Sequence, residues 1–171
     1  MSAKGKNLRL IEAPVVTDTL PQLAAAIHIT VLRSKIRSVM GPGLREILKA
    51  VKAQSIGPTG PWFTHQFKAD PKTYDLDICV PVSAAVRSVG RVEKREIPGL
   101  KVVQTVYQGD YERLAEAWAE FNEWIEANGH PVATDFYERY IVGPESVPDP
   151  AEWRTELRRP VLAKLPKTRK G

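Results

Sequence analysis

The sequence predicts an α+β fold: two tandem βαββ halves forming one antiparallel or mixed sheet, with two helices on one face and a cleft at the seam. Three observations predict it. Residues 111–127 carry an unambiguous amphipathic helix. Most other apolar segments are short, β-branched and separated by Gly or Pro. The order of these pieces also repeats once along the chain.

The helix is the firmest element. Tyr111, Leu114, Trp118, Phe121 and Ile125 recur at spacings of three and four, which places them on one stripe. Trp118 and Phe121 then read as core, and so does Trp124. Glu112, Glu116, Glu120, Glu123 and Glu126 read as the solvated face. Asp110 can accept from the first-turn amides as N-cap, Gly129 can end the helix in a left-handed conformation, and Pro131 forbids its resumption. A second helix is expected over residues 43–54, with Leu44, Ile47, Leu48 and Val51 as its stripe and Gly57-Pro58 as its stop. Pro42 is expected to break any helix running in from Val31.

Strands account for the rest. Leu8, Leu10 and the β-branched run after Ala13 suggest an N-terminal strand, followed by 23–31. Residues 62–67 and 75–80 flank a turn-rich KADPKTY loop and read as a hairpin; 89–96 and 100–107 come next, then the pair 136–142 and 154–159. In each half a Pro-marked apolar strand (Leu20-Pro21-Gln22-Leu23; Ile97-Pro98-Gly99-Leu100) precedes a helix. An aromatic strand follows (Trp62-Phe63; Phe136-Tyr137), and then one ending in Pro-Val (Pro81-Val82; Pro160-Val161). The halves are expected at about 8–85 and 86–162, between a flexible N-terminus over residues 1–7 and a basic flexible tail over 163–171.

Composition excludes several classes. The chain has 171 residues, 43% hydrophobic and 26% charged, as globular proteins do. No apolar stretch is long enough to span a bilayer, and no secretory signal pattern opens the chain. One cysteine, Cys79, allows no internal disulfide; it fits a reducing compartment, so a cytoplasmic location is expected. The net charge of +5 resides in the ends: without Lys4, Lys6, Arg9, Lys164, Lys167, Arg169 and Lys170 the remainder holds 18 basic against 20 acidic residues. That balance argues against nucleic-acid binding by the folded body. Phosphate-loop, nucleophile-elbow and zincin motifs are all absent, and three scattered histidines offer no zinc spacing. Neither a metal nor a cofactor is expected. Cys79, in an apolar strand, reads as a buried and inert thiol.

What remains is aromatic residues around one acid. Alternation along Phe136-Tyr137-Glu138-Arg139-Tyr140 puts Phe136, Glu138 and Tyr140 on one face. On a solvated face Glu138 would pair with a neighbouring Lys or Arg, the more ordinary reading of the strand alone. In an aromatic cavity the same carboxylate would suit a lipophilic cation, and desolvation would raise its pKa enough for proton transfer. Tyr111, at the helix start, can reach such a cavity. So can one of Trp62 or Phe63, whereas His65 lies on the face opposite Trp62.

Several short segments resemble GyrI-like small-molecule binding domains. Gln108-Gly109-Asp110-Tyr111-Glu112 is similar to the His-x-Gly-Pro-Tyr-Glu turn before that family's second helix, although Asp110 stands in the Pro position. Trp124 and Gly129 resemble the Trp and Gly that end the helix. Tyr137-Glu138-Arg139-Tyr140 is similar to a Trp-Glu-x-Tyr strand and Gly143-Pro144 to the Asp-Pro after it; Cys79-Val80-Pro81-Val82 and Arg159-Pro160-Val161 resemble the Pro-Val ends of the two halves. The resemblance spans roughly residues 8–162. It implies a cleft between halves that binds a lipophilic aromatic or cationic molecule, with Glu138 as the cleft acid and Tyr140, Tyr111, Trp62, Phe63, His65 and Phe136 as further ligand-binding candidates. It also implies two other activities. One is hydrolysis of cyclopropane-containing genotoxic compounds, with Glu138 and Tyr140 catalytic; the other is docking to a protein, as gyrase-inhibitor-like members do. Related domains serve AraC-type and MerR-type regulators as effector modules. Residues 1–20 are too few for a helix-turn-helix, so no direct DNA binding is expected.

Overall fold

A computed structural model describes residues 8–163. The expected flexible N-terminus over 1–7 lies outside these residues, and so does the expected basic tail, save Ala163.

Eight strands and two α-helices follow one another along the chain. They are β1 (Val15–Asp18), β2 (Gln22–Leu32), α1 (Ile36–Ala53), β3 (Phe63–Gln66), β4 (Thr73–Pro81), β5 (Glu93–Ile97), β6 (Lys101–Gln108), α2 (Leu114–Ala127), β7 (Phe136–Val142) and β8 (Arg154–Pro160). All eight strands form one antiparallel sheet in the order β1-β6-β8-β7-β3-β4-β2-β5. The order is palindromic. β2-α1-β3-β4 and β6-α2-β7-β8 occupy equivalent places about a seam where β3 pairs with β7, Thr64 opposite Glu138.

The leading strands exchange between the halves. β1 precedes β2 in the chain but pairs with β6, and β5 precedes β6 but pairs with β2. In a flat sheet β1 and β2 would lie about 29 Å apart, six spacings of about 4.8 Å. The link from Asp18 to Gln22 reaches at most about 14 Å. The sheet therefore curls until its two ends meet. They meet where the two links cross: Thr19 N–H donates to the Leu100 carbonyl (2.7 Å) and Leu100 N–H to Thr19 Oγ1 (2.9 Å). Gly99 is required there, because a Cβ would come within 2.9 Å of the Thr19 carbonyl oxygen.

Strand alternation gives the sheet two apolar faces. On the convex face α1 covers β2 and β4, through Ile47 and Val51 against Ile27, Ile29, Ile78 and Val80. α2 covers β6 and β8, through Ala117, Phe121 and Ile125 against Val103, Tyr107 and Leu157. On the concave face Ala24, Ala26, Phe63, Cys79 and Tyr137 pack under Ile97 and Leu100. Cys79 is buried, and burial pushes its thiol pKa well up.

Asp110 accepts from the amides of Glu112 (3.0 Å) and Arg113 (3.2 Å) as expected, but it caps the turn that leads into the second helix, whose own first residue is Leu114 with no side-chain cap; Gly129 after its end adopts φ +69°. A short 3-10 turn, Tyr111–Arg113, precedes α2. Three expectations need correction. α1 starts at Ile36 and runs through Pro42. Pro42 removes one helical bond, but Ile36, Val39 and Met40 before it still pack on the core, and that burial outweighs the loss. Residues 8–11 form no strand apart from the Ile11–Tyr107 bridge. Glu120 does not belong to a purely solvated face, since its Oε1 accepts the N–H groups of Arg9, Leu10 and Ile11 and ties that segment to α2.

Phe121 is fully buried under β6 and β8. Phe121→Ala should cost about 3–5 kcal/mol of stability, read as a lowered urea midpoint with an unchanged slope.

Candidate functional site

Because each helix covers the outer strands of its own half, β3 and β7 lie uncovered between them. A cavity of about 740 Å³ opens there. The residues of β7 that alternation assigns to one face, Phe136, Glu138 and Tyr140, all line it. From the first half come Trp62 and Gln66, from α2 Leu114 and Trp118, and from the turn before α2 Tyr111.

Glu138 lies at the centre of the floor, only 7% exposed. Trp118 Nε1–H donates to its Oε2 (2.6 Å) and the Tyr140 hydroxyl to its Oε1 (2.8 Å), with Gln66 as a further donor. Donor directions continue behind it: Gln66 Nε2 donates to Thr64 Oγ1 (3.2 Å), and Thr64 Oγ1 lies 3.0 Å from the Tyr140 oxygen. Since Tyr140 gives its proton to Glu138, Thr64 gives its own to Tyr140. Burial raises the pKa of Glu138 above its usual value; the bonds from Trp118, Tyr140 and Gln66 and the charge of Arg33 oppose that rise. Tyr140 and Tyr111 are also pushed well up, mainly by burial, so both are protonated donors at neutral pH.

Aromatic rings flank the carboxylate on both sides. Trp62 stacks on Tyr140 (centroids 4.1 Å, 30°), and Tyr111 meets Tyr140 edge-on (6.0 Å, 78°). Trp118 meets Phe136 edge-on (4.8 Å, 64°) on the other side. Tyr111 is backed by Trp153, and its buried hydroxyl has no hydrogen-bond partner among the described residues.

Two candidates lie elsewhere. Phe63 and His65 project from the other face of β3, by the same alternation that sends Thr64 and Gln66 into the cleft. Phe63 packs in the concave core. His65 stacks on Tyr137 (4.2 Å, 11°) and bonds Asp135 through Nε2 (2.7 Å). Trp118, read from its stripe as core alone, is half-buried and holds the carboxylate. Thr64 and Gln66 belong to no motif; the signal for them in the sequence is two polar residues alternating with aromatics in a short strand. Arg33, Arg37, Arg159 and Glu145 add charges to the lining, contributed by segments far apart in sequence. Among the described residues no group of three or more His, Cys, Asp or Glu side chains is placed to hold a metal, and no helix is long and apolar enough to cross a membrane.

Residues 43–162 match the GyrI-like small molecule binding domain. The chain belongs to this family. No curated protein matches it. Among solved structures, the C-terminal domain of EcmrR is 24% identical, with a TM-score of 0.78, covering 88% of this chain and 97% of that one. EcmrR in its DNA complex is 23% identical (TM-score 0.79) over 91% of this chain, which spans only 59% of that longer protein. SAV2435, bound to tetraphenylphosphonium, is 15% identical (TM-score 0.61), covering 89% of this chain and 95% of that one. A hydrolase from Listeria innocua is 14% identical (TM-score 0.61), covering 87% and 91%. These structures share the fold of this GyrI-like domain.

The raised pKa of Glu138 has a signed consequence for stability. Between the unfolded value, near 4.5, and the higher folded value, the folded state binds more protons than the unfolded state. Glu138 therefore favours folding most below about pH 4.5, and this contribution is lost as pH rises through the folded pKa. Glu138→Gln keeps the shape, and the Tyr140 hydroxyl can turn to accept from the new amide. The melting temperature of the variant relative to wild type should rise between about pH 4 and pH 8, which paired thermal scans would show.

Proposed function

We propose that the cleft binds a lipophilic aromatic small molecule whose cationic or proton-donating part sits against Glu138. The observation that carries this reading is a nearly buried carboxylate between two aromatic panels, at the seam of a duplicated sheet. A carboxylate stripped of water favours a cation or a strong donor, and the ring faces of Trp62, Tyr140 and Phe136 add cation–π and apolar contact. The tetraphenylphosphonium held by SAV2435 has this chemistry, which makes it the natural first probe. The same cleft would let the domain sequester toxic compounds in the cell, a protective role consistent with a cytoplasmic protein.

Titration with tetraphenylphosphonium should quench tryptophan fluorescence through Trp62 and Trp118. Glu138→Gln should weaken binding roughly tenfold or more, as expected for losing one charge-assisted partner. Wild-type affinity should also fall as pH is lowered through the raised pKa of Glu138, because protonation removes the charge that the cation meets. No saturable quenching by any planar or phosphonium cation, with one protein recovered stoichiometrically in a pull-down, would favour a docking role instead.

The buried Tyr111 hydroxyl, without a hydrogen-bond partner among the described residues, supports a second reading, hydrolysis of a cyclopropane conjugated to a carbonyl. Tyr140 has committed its proton to Glu138, so Tyr111 is the donor left for the carbonyl oxygen. Glu138 would take a proton from water as the water oxygen bonds to a ring carbon. The ring C–C bond breaks, its electrons pass to the carbonyl oxygen, and that proton returns to the product, for a net addition of one water. Mass spectrometry of a cyclopropane-bearing alkylator should show the water adduct with wild type, and about 10²–10⁴-fold less turnover with Glu138→Gln. Adduct at the buffer rate with wild-type protein would leave only the binding reading.

A further inference from the structure

The cleft holds more charge than a simple cation would meet. Its lining holds three guanidiniums, Arg33, Arg37 and Arg159, against two carboxylates, Glu138 and Glu145. These charges are sorted along the cleft. At the Phe136 end of β7, where Gln66 pairs with Phe136, the β3–β4 loop brings Arg33 in. Its Nε donates to the Asp70 carbonyl, and its guanidinium carbon lies 4.2 Å over the Tyr74 ring. Arg159 closes the same end, with its terminal nitrogens donating to Asn122 Oδ1 (2.6 Å) and the Ala133 carbonyl (2.6 Å). At the Tyr140 end stand Trp62, Tyr111 and Glu145. Phe136 and Tyr140 are four residues apart on an extended strand, about 13 Å.

At the basic end Asp135 adds a carboxylate near Arg159, but it is already hydrogen-bonded to His65 (2.7 Å). The terminal nitrogens of Arg33 and the whole guanidinium of Arg37 have no hydrogen-bonding or ion-pair partner among the described residues. Arg159 Nε is buried without a hydrogen-bond partner, and burial lowers that residue's pKa. The first turn of α1, one turn from Arg33, carries no acidic residue and no side-chain cap, which leaves its amide dipoles unopposed.

We propose that the ligand of this cleft is bipolar: an aromatic body with its cationic part over Glu138 and an anionic group, a carboxylate, sulfonate or phosphate on the same molecule, held by Arg33, Arg37 and Arg159. This rests on the binding reading above and narrows it. The class is an aromatic zwitterion, with opposite charges separated by about the 7 Å that two strand residues span.

The experiment uses a pair of xanthene dyes that differ in one group, a cationic rhodamine ethyl ester and its free carboxylic acid, which is a zwitterion. Fluorescence anisotropy against the full chain should show the acid binding roughly 10- to 100-fold more tightly than the ester, the range of charge-assisted hydrogen bonds. Arg37→Gln is the first variant, since this side chain is exposed and without a partner among the described residues; Arg33→Gln is the second. Both should weaken the acid and strengthen the ester, because each removes an attraction for one dye and a repulsion for the other. A folding defect would weaken both. Saturable binding of the ester at least as tight as that of the acid overturns the proposal while leaving the binding reading standing. Parallel losses in both variants, with fold intact by circular dichroism, also overturn it. If phosphate at millimolar concentration lifts the ester to the affinity of the acid, the basic end takes a separate anion and the bipolar ligand is refuted. If neither dye saturates, while tetraphenylphosphonium does, the bipolar class is wrong; if none of the three saturates, the binding reading fails and takes the proposal with it.

Discussion

Two links of three residues govern this molecule. Thr19–Pro21 and Pro98–Leu100 join strands that stand six places apart in the sheet, and so short a chain can do this only if the sheet closes on itself. The hydrogen bonds between Thr19 and Leu100 mark where the closure is made. Closure curls the sheet away from the helices. On the convex side the two helices follow the diverging strands of their own halves, and β3 and β7 remain uncovered between them. The cleft is thus a consequence of how the ends are joined.

The concave side shows the other consequence. A sheet with one solvated face would alternate apolar and polar residues, yet β2 carries Ala24, Ala25 and Ala26 in succession, all buried. Small side chains suit a strand buried on both faces where the curl is tight. β7 and β3 likewise serve two environments. Their even-numbered residues make the floor of the cleft, and their odd-numbered residues, Phe63, His65 and Tyr137, make the concave packing. A one-residue slip in register would exchange the two sets and destroy both.

Glu138 is tolerable in this setting because its donors come from separate elements, each fixed for its own reason. Trp118 belongs to the apolar stripe of α2, Tyr140 lies two residues on in the same strand, and Gln66 comes from the neighbouring half across the seam. None of these bonds cancels the desolvation that raises the carboxyl pKa. The site holds a charge at a cost, which is the condition under which a partner of opposite charge binds strongly.

The sequence by itself determined the period of each element, and with it which residues share a face. The stripe of α2, the Asp110 cap of the turn before it, the Gly129 stop, the hairpin strands and the grouping of Phe136, Glu138 and Tyr140 all follow from local geometry and near-neighbour chemistry. The repeat also revealed that two halves would meet at a seam. Only the tertiary structure decided the rest, because each remaining point depends on residues distant in the chain. Whether Trp62 or Phe63 faces the cleft depended on which side of the sheet the two helices pack against, since the cleft opens between them. α1 passes through Pro42 because packing on both sides of it outweighs a local preference. Glu120 is spent on the amides of Arg9, Leu10 and Ile11, and Trp118 is turned from core residue to donor, by segments that arrive from elsewhere. The exchange of β1 and β5 between halves leaves no local trace, since a strand reads the same whichever neighbour it pairs with.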